Sequence, residues 1–121
     1  MLKRKIDDYL IQWKNNPDRL PLVIKGARQI GKTFSVRNFA KNYKNYIEIN
    51  FITDPQFKTI FKNGYSPESI IKEITLLRPD WEFIPNETLI LFDEIQVFPD
   101  CTTCLKFFKL DGKYDVICSG S

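Results

Sequence analysis

Residues 26 to 33 read GARQIGKT and stand between the apolar run LPLVIK and the stretch FSVRNFAKNY. Gly26, Gly31, Lys32 and Thr33 meet the pattern G-x-x-x-x-G-K-[S/T] in full. At ordinary residue frequencies, a chance match anywhere in a chain of 121 residues falls below about 1%. Such a loop constrains the fold because it works only between a strand and a helix. Backbone N–H groups of the loop and of the helix N-terminus must converge on one phosphate. Both flanks fit. LPLVIKG reads as a short buried strand ending at Gly26, and Val36, Phe39, Ala40 and Tyr43 line one face of the helix that follows. A glycine turn with an incidental lysine is the plainer alternative.

In the pattern's chemistry, Lys32 neutralises charge developing between the β and γ phosphates, and the Thr33 hydroxyl ligates magnesium. Gly26, Ala27, Arg28, Gln29, Ile30, Gly31, Lys32, Thr33 and Phe34 are the candidate nucleotide contacts. Arg28 and Gln29 brace the loop, or else touch phosphate or a neighbouring subunit.

The rest of the chain alternates strands and helices. Ile6, Tyr9, Leu10 and Trp13 recur at helical spacing, which predicts an amphipathic helix over residues 3–15. NYIEINF predicts a strand with Tyr46, Glu48 and Asn50 on one side and Ile47, Ile49 and Phe51 on the other. Phe57, Ile60 and Phe61 suggest a short helix that Asn63 and Gly64 end. SPESIIKEITLL carries a capping Ser66, a first-turn Pro67 and a favourably placed Glu68. Its expected buried side is Ile70, Ile71, Ile74 and Leu77. TLILFDE and YDVICSG are the remaining strands, and residues 100–109 form a helix between them. This alternation argues for an α/β domain with a largely parallel sheet, whose loops gather at the carboxyl edge of the strands.

That edge also collects the acidic pair. LILFDE ends in Asp93, placed to hold a magnesium shell through water, and Glu94, placed to orient and polarise an attacking water. Gln96 follows, as a site residue, a partner contact or a solvated loop residue. At the end of the last strand, Ser119 is the candidate to bond the γ-phosphate or the water, with Ser121 as the competing choice.

The bulk numbers exclude more than they select. Apolar residues make up 43% of the chain and aromatic residues 14%, which removes a disordered reading. A net charge of +3 names no partner, and the linear charge pattern gives no support to DNA binding. MLKRK is followed at once by Asp7 and Asp8 and reads as a solvated helix end, with no apolar run to make a signal peptide. No apolar run is long enough to span a bilayer. Cys101, Cys104 and Cys118 do not form a disulfide framework, so the cytoplasm is the expected compartment. CTTC is half a zinc site at most; Cys104 and Cys118 are expected in the core.

PLVIKGARQIGKT, INF, LILFDEIQ and the segment from CLKFF to YDVICSGS together resemble the amino-terminal core of a prokaryotic AAA-type P-loop ATPase family. Its members typically carry a DUF4143-type carboxyl-terminal domain. The resemblance runs from about Ile6 to Ser121. It implies ATP and Mg²⁺ as ligands, Lys32 and Thr33 as the phosphate-loop pair, Asp93 and Glu94 as the second motif, and Ser119 or Ser121 as the polar sensor. It implies a sheet in the order 5-1-4-3-2, of which this chain supplies 1-4-3-2. Residues 1–121 then form a single, incomplete domain, without the fifth strand, arginine finger, second sensor and lid. The expected function is Mg²⁺-dependent hydrolysis of ATP that drives or switches an effector domain, with self-association or a protein partner left open. The alternatives are a nucleotide-sensing module that binds DNA or protein with little hydrolysis, and a small-molecule kinase, for which the sequence marks no acceptor pocket.

Overall fold

The computed structural model describes residues 5–26 and 32–121. Four parallel strands form one sheet: β1 (Leu22–Lys25), β2 (Asn45–Asn50), β3 (Thr88–Asp93) and β4 (Asp115–Gly120), in the order β1-β4-β3-β2. The helices are α1 (Lys5–Asn15), α2 (Lys32–Phe39), α3 (Pro67–Leu77) and α4 (Leu105–Asp111), joined by several short 3₁₀ turns. This is the expected α/β class with the expected strand order. Parallel neighbours need crossovers, and helical segments supply each of them.

Alternation along the strands splits the core into two layers. Leu89 and Leu91 of β3 and Ile117 of β4 face α1 and α2, where Leu10, Val36, Phe39 and Ala40 close over them. Ile90, Phe92, Val116 and Cys118 point the other way, into a larger cluster with Ile70 and Ile74 of α3 and Phe108 of α4. Phe92 lies near parallel to Phe51, with ring centroids 6.1 Å apart. Covered on both faces, β3 is buried at every residue, and its uninterrupted apolar run is what such a strand requires.

Three local expectations need correction. LPLVIK was expected to be a buried strand; β1 takes the edge position that the order 1-4-3-2 gives it, pairing among the described strands with β4, but it alternates half-buried with exposed residues. Val23 is 38% exposed because no described element covers its face. In α3, Ser66 caps as expected, its Oγ accepting from Ser69 N at 3.2 Å. The buried stripe, however, is Ile70, Glu73 and Ile74, with Ile71 and Leu77 only half-buried. The Glu73 carboxylate tolerates burial because Asn63 donates to it at 2.8 Å and Lys62 lies 3.4 Å away. Finally, the segment expected as a helix over 100–109 starts as a 3₁₀ turn over Pro99–Cys104 and becomes α-helical only at Leu105. This turn buries Cys101 beside Cys104 and Cys118, so all three cysteines belong to the core.

The register sets the carboxyl edge. Asn50 pairs with Asp93 across β2 and β3, Phe92 with Cys118 across β3 and β4, and Lys25 with Gly120 across β1 and β4. The strands therefore end level with one another, beside the N-terminus of α2. Among the described residues, no helix is long and apolar enough to cross a membrane.

Candidate active site

A cleft of about 310 Å³ opens at this edge, lined among the described residues by Lys32, Thr33, Arg37, Asn50, Asp93, Glu94 and Ser121. The candidate contacts Ala27, Arg28, Gln29, Ile30 and Gly31 lie outside the described residues. Gly26 leaves β1 at φ +156°, a conformation that favours glycine, although a Cβ there would meet nothing within 4 Å. Backbone freedom, not space, is what this position asks for.

Lys32 and Thr33 open α2 and turn their side chains toward the sheet. Lys32 Nζ donates to the Gly120 carbonyl at the end of β4, at 2.7 Å. The Thr33 hydroxyl donates to Asp93 Oδ2 at 3.0 Å. Asp93 Oδ1 accepts the backbone N–H of Glu94 at 2.8 Å. The Asp93 carboxyl is 5% exposed, and burial pushes its pKa up; the bonds from Thr33 and Glu94 N pull the other way. An anion held in so dry a place gains from any cation brought beside it.

Glu94 directly follows the strand in the left-handed region, at φ 61° and ψ 43°. For a residue with a Cβ this costs on the order of 1 kcal/mol, and such outliers concentrate at functional sites. The conformation turns the chain sharply out of β3, so that Asp93 and Glu94 both line the cleft instead of facing opposite sides of a continuing strand.

The two serines separate. Ser121 lines the cleft, whereas Ser119 is buried and its hydroxyl has no hydrogen-bond partner. Ser119 shares its strand face with Ile117, toward α2. Phe34 is half exposed and does not line the cleft.

Arg37 and Asn50 were not anticipated. Arg37 lies one helical turn past Thr33, and its guanidinium grips Glu48 with two bonds, Nε to Oε1 at 2.8 Å and Nη2 to Oε2 at 2.6 Å. Tyr46 Oη donates to the same Oε1 at 2.7 Å. The bond from Arg37, the largest cause, holds the Glu48 carboxyl below its ordinary value. Asn50 caps the turn after β2, its Oδ1 accepting the N–H groups of Ile52 and Thr53 at 2.9 and 3.0 Å. The sequence did carry signals for both: helical spacing from Thr33, and a strand end level with Asp93.

CTTC sits behind the sheet, away from the cleft lining. Cys104 and Cys118, together with burial, push the Cys101 thiol up, and all three cysteines are buried in the core. Among the described residues, no cluster of acidic, cysteine or histidine side chains is arranged to hold a metal by itself. A cation at Thr33 and Asp93 would therefore need oxygens from a ligand as well.

A parallel sheet in the order 1-4-3-2, with the sequence GARQIGKT running into α2 and an acidic pair at the end of β3, defines a P-loop nucleotide-binding domain of ATPase type. The family model described as AAA domain matches residues 18–121, and the chain belongs to that family. Among solved structures, C. elegans PCH-2 is similar in fold, with a TM-score of 0.50 and 13% sequence identity. The match covers 96% of this chain and 36% of the PCH-2 chain, so this sequence spans little more than a third of that relative's length. No curated protein matches the sequence.

Proposed function

We propose that this domain binds ATP with Mg²⁺ and hydrolyses it to ADP and phosphate. The observation that carries the reading is the Thr33–Asp93 bond of 3.0 Å, with Lys32 and Glu94 on the same cleft. A hydroxyl and a buried carboxylate meeting across a cleft are hard oxygen donors, the kind magnesium takes alongside phosphate oxygens and water. Thr33 would hold the ion directly and Asp93 through water. When bound, the ion supplies charge neutralisation to the phosphates.

The chain's own residues supply the rest. Lys32 exchanges the Gly120 carbonyl for oxygens of the β and γ phosphates and neutralises charge as the bond to the leaving oxygen lengthens. Glu94 orients a water in line with the γ-phosphorus and takes its proton on the carboxylate. A new phosphorus–oxygen bond forms and the bond to the β,γ-bridging oxygen breaks, leaving ADP and inorganic phosphate. Ser121 would bond the γ-phosphate, a reading supported by its position on the cleft lining and by the burial of Ser119. Gly26 through Gly31 would cradle the β-phosphate, with Arg28 and Gln29 bracing the loop. Phe34 would pack near the loop. The sequence resemblance supports a cytoplasmic, prokaryotic setting and an effector outside this domain, of the DUF4143 type, that turnover drives or switches. It also supports assembly with further copies or a protein partner.

The test is Glu94→Gln in the whole protein. Turnover should fall by about 10²–10⁴-fold while Mg-ATP affinity stays within about twofold. Unchanged turnover would remove Glu94 from the chemistry; loss of both would make it a binding residue.

A further inference from the structure

One side chain joins the ends of β3 and β4. Gln96 sits on the turn Ile95–Val97, and its amide reaches both ways. Gln96 Oε1 accepts the N–H of Ser121 at 3.2 Å, and Nε2 donates to Glu94 Oε1 at 3.4 Å. The peptide group between Gly120 and Ser121 is the same one whose carbonyl accepts Lys32 Nζ at 2.7 Å.

A continuous chain of hydrogen bonds therefore runs from the Lys32 ammonium, through one peptide group and one side-chain amide, to the Glu94 carboxylate. Every donor points the same way, from cation toward anion, the sense in which successive amides polarise one another. The backbone makes room for it. A Cβ on Gly120 would lie 2.7 Å from Gln96 Oε1 and 3.0 Å from Ile95 Cγ1, so the Gln96 amide would have to shift to admit it. Glycine at 120 thus lets the Gln96 amide lie directly against the end of β4. The contact to Glu94 is long and contributes little to stability; what it provides is orientation.

We infer that Gln96 is a positioning residue that holds the Glu94 carboxylate in register with the end of β4, and so with the peptide Lys32 occupies. This rests on the hydrolase reading, in which Glu94 orients the attacking water. Lys32 leaves Gly120 when phosphate arrives, and the freed peptide then remains as the anchor for Gln96 alone. The link ties the state of the phosphate-binding cation to the setting of the carboxylate.

Steady-state turnover and Mg-ATP calorimetry on the whole protein test this with Gln96→Ala. The variant should lower kcat by about tenfold to a hundredfold, with KM and Kd for Mg-ATP within about twofold. Unchanged kcat, or an equal loss in Kd, would overturn the inference. Amide exchange of nucleotide-free protein gives a readout that does not need turnover. The Ser121 N–H should exchange at least about tenfold faster in Gln96→Ala, while Ile117 keeps its protection. If the wild type binds Mg-ATP without turning it over, the hydrolase reading fails. Exchange then decides the link alone: acceleration supports it, and an unchanged Ser121 rate overturns it.

Discussion

Replacing Ser119 by alanine removes a hydroxyl that is 1% exposed and has no hydrogen-bond partner. Folding strips that group of water and returns nothing, at a cost of about 1–3 kcal/mol. Alanine keeps the Cβ packing against the α2 layer and loses only one oxygen's dispersion contacts, a few tenths of a kcal/mol. The variant should therefore be more stable by about 1 kcal/mol. For 121 residues at about 2.1 cal/mol/K each, the unfolding entropy is on the order of 0.25 kcal/mol/K, so Tm should rise by about 4 °C. The assay is thermal unfolding of the nucleotide-free protein by circular dichroism, with urea unfolding to confirm that the m-value is unchanged. A Tm lowered by 2 °C or more, on this same order-of-magnitude scale, would mean that the hydroxyl is satisfied and the burial argument is wrong. If stability rises but turnover collapses, Ser119 reaches the phosphate after all and Ser121 loses that role.

Two further outcomes follow from the same structure. Ser66→Ala deletes the oxygen that accepts Ser69 N and should destabilise by about 1 kcal/mol in urea, with no change in m-value. Glu48 has a lowered folded-state pKa, so its contribution is present above the unfolded value of about 4.3 and is lost as pH falls through the lower folded value. The Arg37 partner is 60% exposed, which keeps the pair below about 1 kcal/mol. Wild type should therefore exceed Glu48→Gln by less than that at pH 7, and the two unfolding curves should converge in acid. A constant gap across pH would assign the difference to packing.

What could be read from the sequence was whatever depends on one segment at a time. The loop pattern, the apolar run of β3 and the alternation of Ile47 and Ile49 against Glu48 and Asn50 each needed only local spacing, and together they gave the parallel sheet; its order came from the family resemblance. The misses depend on partners far along the chain. The spacing within LPLVIK does not show that Val23 faces outward, because an apolar edge strand and an apolar central strand are written alike; that β1 lies at the edge came only from the order 1-4-3-2 that the resemblance implies. Glu73 looks like a solvent-facing helix residue until Asn63 and Lys62 are brought over it. The site divides in the same way. Lys32, Thr33, Asp93 and Glu94 announce themselves by motif, but Arg37, Asn50 and the choice between Ser119 and Ser121 depend on which strand ends lie level and which face a side chain takes.

Calorimetric titration of Mg-ATP into the wild type and Lys32→Ala tests the central claim most directly. The wild type should bind in the micromolar range, about 8 kcal/mol, and Lys32→Ala should weaken binding by at least about tenfold, since a bond to a charged group contributes about 1.5–3 kcal/mol. Equal affinities for both folded proteins, or no binding by either, would contradict a phosphate site built on Lys32.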